Sequence, residues 1–176
     1  MVIQNSLNES FCFAFLLLYS FVFDKISLGW YYMIYTENTK KAINLMYKYH
    51  NGQLDKSGLP YVFHPFSVAY DMEDEETCIV ALLHDIVEDT SCTFEELDGM
   101  FSSEVVDAIR LMTHSDEEDY FSYIERLSSN RIASMVKISD LKHNSDESRL
   151  NNITEKDIRR NEKYKKALDF LLNKWR

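Results

Sequence analysis

The chain has 176 residues, 45% of them hydrophobic and 27% charged, which fits one globular domain with enough length to bury a real core. With 19 basic against 29 acidic residues the formal charge is −10, which argues against nucleic acid as a partner. Four glycines and two prolines supply too little turn punctuation for an all-β design, so long helices with short connections are expected.

A small anionic substrate stays compatible with the negative charge, because a metal and a few local lysines can reverse the field inside one cleft. The three cysteines, Cys12, Cys78 and Cys92, are odd in number and lack zinc-like spacing. They give no sign of an oxidising compartment, and a cytoplasmic location is expected.

In chain order, residues 1–32 form a hydrophobic extension that stands apart from a domain expected over 33–176. Its apolar stretch FCFAFLLLYSFVF, residues 11–23, has 13 residues, short of the roughly 20 that a spanning helix needs. No Lys or Arg precedes it, so it lacks the basic flank of a secretory signal. Three readings stay open: an over-extended start or dispensable appendage, an extra packed helix, or a membrane anchor, with the composition arguing against the last. Thr36 can cap a helix running to about His50, with Ala42, Ile43, Leu45, Met46 and Tyr49 at helical spacing.

NGQLDKSGLP, residues 51–60, reads as a loop, and His64-Pro65 opens a short helix because proline suits a first turn. Residues 75–89 read as one apolar helix. Thr93 with Glu96 makes a capping box for a short helix ending near Phe101. A further helix is expected over 103–112, then an acidic turn at 114–119. Helices follow at about 119–128, 130–143 and 155–173, the last capped by Thr154 with Asp157. The expected class is all-α, a compact helical bundle.

Two apolar helices carry charges where none is expected. CIVALLHDIVEDT, residues 78–90, runs six apolar residues into His84 and Asp85. A bare carboxylate in an apolar interior neutralises or finds a partner, and an imidazole beside a carboxylate suits a divalent cation. On a continuous helix Glu88 lies i+4 from His84 and Asp89 i+4 from Asp85, so these carboxylates can share the same cleft. In RIASMVKISDLKHN, residues 131–144, Asp140 interrupts the inward stripe of Ala133, Val136 and Asn144. His64, fixed before a proline, is well placed to project a ring nitrogen from a rigid backbone.

Five blocks carry a family resemblance: HNGQ (50–53), KSGLPYVFHP (56–65), ALLHDIVEDT (81–90), TFEEL (93–97) and KISDLKHN (137–144). In this order they resemble the HD superfamily of metal-dependent phosphohydrolases. More narrowly, they resemble the hydrolase domain of the Rel/Spo alarmone enzymes and the small alarmone hydrolases. The resemblance implies an HD-domain helical bundle and an enzyme that uses Mn²⁺ to remove the 3′-pyrophosphate from (p)ppGpp. It implies metal ligands His64, His84, Asp85 and Asp140, catalytic help from Glu88 and Asp89, and substrate contacts from Lys56, Ser57 and Asn144.

Lys137, Lys142 and Arg149 are further candidates for phosphate charges. His114 and His143 lack the spacing of a second metal site.

The chain departs from the family pattern at Asp55, where those enzymes usually carry a base-stacking Arg. It also departs at Leu141 after Asp140 and at Glu147. An aspartate at 55 is expected to repel phosphate, which weakens the expectation of guanine recognition. An HD nucleotidase acting on another nucleotide is one alternative. A non-catalytic nucleotide sensor is another.

Overall fold

The computed structural model describes residues 33–176 except Asp116, Asn151 and Arg176. Residues 1–32, with the apolar stretch 11–23, lie outside the described residues. Among the described residues the only regular structure is helical: α1 Glu37–His50, α2 Phe63–Tyr70, α3 Glu75–Leu83, α4 Ile86–Asp89, α5 Phe94–Asp98, α6 Ser103–Met112, α7 Tyr120–Leu127, α8 Arg131–Asn144 and α9 Glu155–Lys174. A single 3-10 turn, Glu147–Arg149, joins α8 to α9. The expected all-α class holds.

The caps explain most boundaries. Thr36 accepts the Thr39 N–H and Thr39 reciprocates on the Thr36 N–H, which closes the start of α1. Asp74 accepts the Thr77 N–H at 2.8 Å and Glu75 and Glu76 sit in the first turn of α3, where carboxylates complement the helix dipole. The reciprocal box expected at Thr93 is half-formed: Thr93 caps Glu96, whose carboxylate instead meets Tyr49 and Lys48. That helix also stops at Asp98, earlier than the sequence suggested. The box at Thr154 and Asp157 is complete.

The hub is α3. Every residue from Thr77 to Leu83 is buried, as a helix apolar on all sides must be. It packs against α1, α2, α6 and α8, while α9 closes over α7 and α8. This arrangement delivers the C-terminal end of α3 to the middle of the molecule, facing α2 and α8. No described helix is long and apolar enough to cross a membrane.

The expected helix over 75–89 is interrupted. Helix α3 ends at Leu83 and α4 begins at Ile86, with Asp85 at φ −104° and ψ 0° between them. That backbone conformation lies in the sparsely populated bridge region. Adjacent side chains on a continuous helix diverge by about 100°. The break lets His84 and Asp85 turn toward one point.

Leu82 is fully buried in the hub. Leu82→Ala is expected to destabilise the fold by about 2–5 kcal/mol, read as a lowered melting temperature in thermal unfolding.

Candidate metal centre

Three elements converge behind this break. Helix α2 brings His64, the α3–α4 junction brings His84 and Asp85, and α8 brings Asp140. His64, His84 and Asp140 are buried. The two Nε2 atoms lie 3.3 Å apart. His64 Nε2 is 3.2 Å from Asp140 Oδ1, and His84 Nε2 is 2.9 Å from Asp85 Oδ2. The cross pairs are 3.7 Å for His64–Asp85 and 3.8 Å for His84–Asp140. Among the described residues, His64, His84 and Asp140 form the one group whose donor atoms all lie within 4.8 Å of one another, close enough to hold a metal ion.

The hydrogen bonds on the far side of each ring fix its tautomer. His84 Nδ1 is 2.8 Å from the Ala81 carbonyl, which can only accept. His84 therefore carries its proton on Nδ1 and leaves Nε2 free to face the cluster. His64 Nδ1 is 2.8 Å from His143 Nδ1, and Arg149 Nη1 donates to that same His143 nitrogen at 2.9 Å. Burial, then the His64 and Arg149 charges, lowers the His143 pKa to about 4, so this ring is neutral and accepts. His64 must then donate through Nδ1, and its Nε2 also faces the cluster.

Two imidazole nitrogens at this distance repel unless a shared proton or a metal ion lies between them. Donor atoms about 2.1 Å from one ion sit about 3 Å apart at neighbouring coordination positions. The observed pairs have that spacing, so the donor set fits a divalent metal. The electrostatics agree. Burial alone would lower the His84 pKa, but the Asp85 and Asp140 carboxylates outweigh it and raise it to about 10. Burial would raise the Asp85 pKa, and the His84 charge instead takes it down to about 2. The pocket attracts positive charge.

The carboxylates are themselves held. Tyr61 donates to Asp85, and its own pKa is raised by burial and by Asp85. Lys137 Nζ reaches Asp140 Oδ2 at 2.8 Å, and Asn144 Nδ2 donates to Asp140 Oδ1 at 2.6 Å. Lys137, a candidate phosphate cation from the sequence, is thus spent on Asp140.

The remaining candidates divide. Lys56, Ser57 and Asn144 line a cleft of about 260 Å³ that opens beside His64 and Tyr61. The Ser57 hydroxyl is committed to the Arg149 carbonyl at 2.7 Å. Glu88 accepts the His114 N–H at 2.9 Å. Asp89 is exposed, and among the described residues its carboxylate accepts no hydrogen bond. Partial burial, then Asp85, raises its pKa.

Asp55 does not present a bare charge to the cleft. It accepts the Ser57 and Leu59 N–H groups at 2.8 and 3.0 Å and the Arg149 guanidinium at 2.8 Å. Burial would raise its pKa, but these bonds together hold it below the usual carboxylate range. Sequence reasoning missed Tyr61, the buttressing by His143 and the Asp55–Arg149 pair. These contacts join residues 24 to 94 positions apart, whereas the Lys137–Asp140 pair had a local signal in its i,i+3 spacing.

With this geometry in view, a family profile described as the HD domain matches residues 42–138. The chain belongs to the HD-domain family. HD domains bind divalent metals, in keeping with the cluster described.

A guanosine-3′,5′-bis(diphosphate) 3′-pyrophosphohydrolase of Aquifex aeolicus is 30% identical over 148 residues, covering 77% of this chain and 20% of that protein. A GTP pyrophosphokinase of Myxococcus xanthus is 35% identical over 123 residues, covering 60% of this chain and 16% of that protein. The bifunctional (p)ppGpp synthase/hydrolase SpoT of Escherichia coli is 29% identical over 110 residues, covering 54% and 16%. The HD-domain chain thus spans a fifth or less of the length of these relatives. A solved metazoan ortholog of SpoT, described as hydrolysing ppGpp, superimposes with a TM-score of 0.67 at 22% identity, covering 80% of this chain and 88% of that one. It shares the fold.

Adding a divalent metal ion that fits the cluster, at about 100 times its dissociation constant, is expected to stabilise the protein by about 2.7 kcal/mol. Asp140→Asn should abolish that gain in thermal unfolding. In chelator-treated protein, the raised His84 pKa gives stability that is full below about pH 6.5 and is lost as pH climbs through about 10. His84→Gln should flatten this slope in denaturant titrations across that range.

Proposed function

We propose that this chain is a metal-dependent phosphohydrolase that removes the 3′-pyrophosphate of (p)ppGpp or a closely related nucleotide, using Mn²⁺ held by His64, His84, Asp85 and Asp140. The catalytic unit is assigned to residues 33–176. The observation that carries this reading is the set of two Nε2 atoms and two carboxylates converging beside a cleft that His64 lines. The named relatives supply the substrate class. A divalent ion there would supply Lewis acidity to polarise a phosphoryl group and lower the pKa of water.

The chain's own residues do the rest. Lys56, Arg149 and Arg160 line the cleft together with Asp55 and Asp146, and Asp55 pairs with Arg149 at 2.8 Å. Among the described residues Lys56 forms no ion pair, while Arg160 is paired with Asp157 at 2.8 Å. Burial, and then Arg160, lowers the Lys56 pKa, the condition of a cation that gains from a nearby anion. Lys56 is therefore assigned to a substrate phosphate.

Hydrolysis breaks the bond between phosphorus and the ribose 3′ oxygen, puts the water oxygen on pyrophosphate and needs a proton on the departing oxygen. Asp89, unbonded and raised in pKa, is assigned that proton transfer. Glu88, anchored to the His114 N–H, orients the water. Lys137 and Tyr61 hold the two ligand carboxylates in place, and Asn144 supports Asp140 at the cleft edge.

Full-length protein with Mn²⁺ should release pyrophosphate from ppGpp, with orthophosphate measured separately. Release of orthophosphate would select a phosphomonoesterase instead, and absence of turnover with several divalent metals would overturn the assignment. Asp85→Ala should remove all turnover. Asp89→Asn should lower kcat by about 10²–10⁴-fold with Mn²⁺ affinity retained in a direct metal titration.

A further inference from the structure

His50 is the last residue of α1 and is 1% exposed, yet it takes no part in the reaction proposed above. A buried imidazole needs hydrogen-bond partners. His50 Nδ1 lies 2.7 Å from Gln53 Oε1, and Gln53 Nε2 donates to the Asp89 carbonyl at 3.2 Å. That carbonyl can only accept, so it fixes which end of the Gln53 amide faces each partner. Gln53 Oε1 is then turned to His50, whose Nδ1 must carry a proton. The three groups form one directed chain, from His50 through Gln53 to Asp89.

That chain ends where α4 needs support. Helix α4 is a single turn, Ile86–Asp89, and no side-chain hydrogen bond caps its start at Asp85. One isolated turn is unfavourable, because it orders several residues for one hydrogen bond. The Asp89 N–H bonds the Asp85 carbonyl at 2.9 Å, while the Asp89 carbonyl is among the C-terminal groups that a helix leaves without an internal partner. Gln53 supplies that partner. Gln53 is itself held, since its N–H donates to the His50 carbonyl at 3.1 Å and its carbonyl accepts the Tyr61 N–H at 2.9 Å. The His50 ring also packs on Tyr61, with 4.9 Å between centroids, and Tyr61 donates to Asp85. Both ends of the α4 turn are thus tied to one buried ring.

We infer that His50 and Gln53 are positioning residues for Asp89, holding the α4 turn so that its carboxylate keeps a fixed place beside the metal cluster. The inference rests on Asp89 transferring the proton, as proposed above, and names the residues that order it. The Asp89 side chain is exposed, so the main chain beneath it is what sets its place.

The test uses full-length protein with ppGpp at saturating Mn²⁺ and compares wild type, Gln53→Met, Asp89→Asn and the double variant. Methionine keeps the length of glutamine and removes both side-chain hydrogen bonds. Gln53→Met should lower kcat by about tenfold, with KM and the Mn²⁺ dissociation constant unchanged. In the Asp89→Asn background the same substitution should change kcat little, because residues that act as one unit are not additive. An equal loss in that background, or no loss in the wild-type background, would overturn the inference. His50→Asn keeps a donor near the Nδ1 position and loses ring bulk, whereas His50→Leu keeps bulk and loses the donor. The asparagine variant should have the higher kcat; an equal or reversed order would mark packing alone and overturn the role of His50.

A second readout needs no turnover. Hydrogen exchange of the Asp89 N–H, followed by NMR, should speed up by about tenfold in Gln53→Met, while Leu82 and Leu83 in α3 keep their wild-type rates. Unchanged exchange at Asp89 would overturn the inference. Equally faster exchange in α3 would mark general destabilisation and overturn it as well. If the wild type releases no pyrophosphate, the hydrolase reading falls, and exchange at Asp89 still decides whether His50 and Gln53 hold α4.

Discussion

Two imidazole Nε2 atoms 3.3 Å apart, with a carboxylate against each, set the constraint on this fold. Such an arrangement is unfavourable unless positive charge sits at its centre, because burial removes the water that would otherwise screen it. The surrounding structure keeps the donors there. The Ala81 carbonyl and His143 fix the two rings from behind, and Lys137 and Tyr61 hold the carboxylates. With both rings neutral, Lys137 against Asp85 and Asp140 leaves one net negative charge, small enough to bury and of the right sign for a cation.

The overall charge of −10 conceals a division of the surface near the site. The centre holds Asp85 and Asp140, while the adjoining cleft has Lys56, Arg149 and Arg160 on its walls beside Asp55 and Asp146. Lys56, which forms no ion pair among the described residues, adds positive charge near that acidic centre, and the nucleotide proposed above would meet both along its length. Loop 51–60 makes this possible. It turns at Gly52 and Gly58, both at positive φ, and pairs Leu54 with Pro60 in a single antiparallel bridge. Asp55 and Lys56 are thereby carried to the cleft side by side.

Much of this was readable in the sequence, and the parts that were not share a physical cause. The caps at Thr36 and Thr154, the buried run Cys78–Leu83 and the inward stripe of Ala133, Val136 and Asp140 are local patterns, and local patterns survive in one dimension. The charged interruptions at His84, Asp85 and Asp140 stood out because apolar helices exclude them without a partner. The break between Leu83 and Ile86 did not stand out, since an apolar run has the same text whether or not its backbone bends. The contact of Glu88 with the His114 N–H, 26 residues away, had no local signal either. Asp55 with Arg149, and His64 with His143, lie 94 and 79 residues apart, and no periodicity connects them.

The Asp55 case shows why a residue's charge cannot be carried from a sequence into a cleft unexamined. Alone, an aspartate beside Lys56 would repel a phosphate, and that reading follows correctly from its type. In the fold, two backbone N–H groups and a guanidinium consume its lone pairs, so the field it exerts on a ligand is that of a paired ion. The pairing has a second consequence at the metal centre. Arg149 and His64 donate to the same His143 nitrogen, so the cleft wall and one donor ring are linked through a single acceptor. Moving Arg149 removes one of two donors from that nitrogen and changes how firmly it holds the His64 proton. The cleft wall and the candidate metal cluster are therefore one hydrogen-bonded unit, running from Asp55 through Arg149 and His143 to His64.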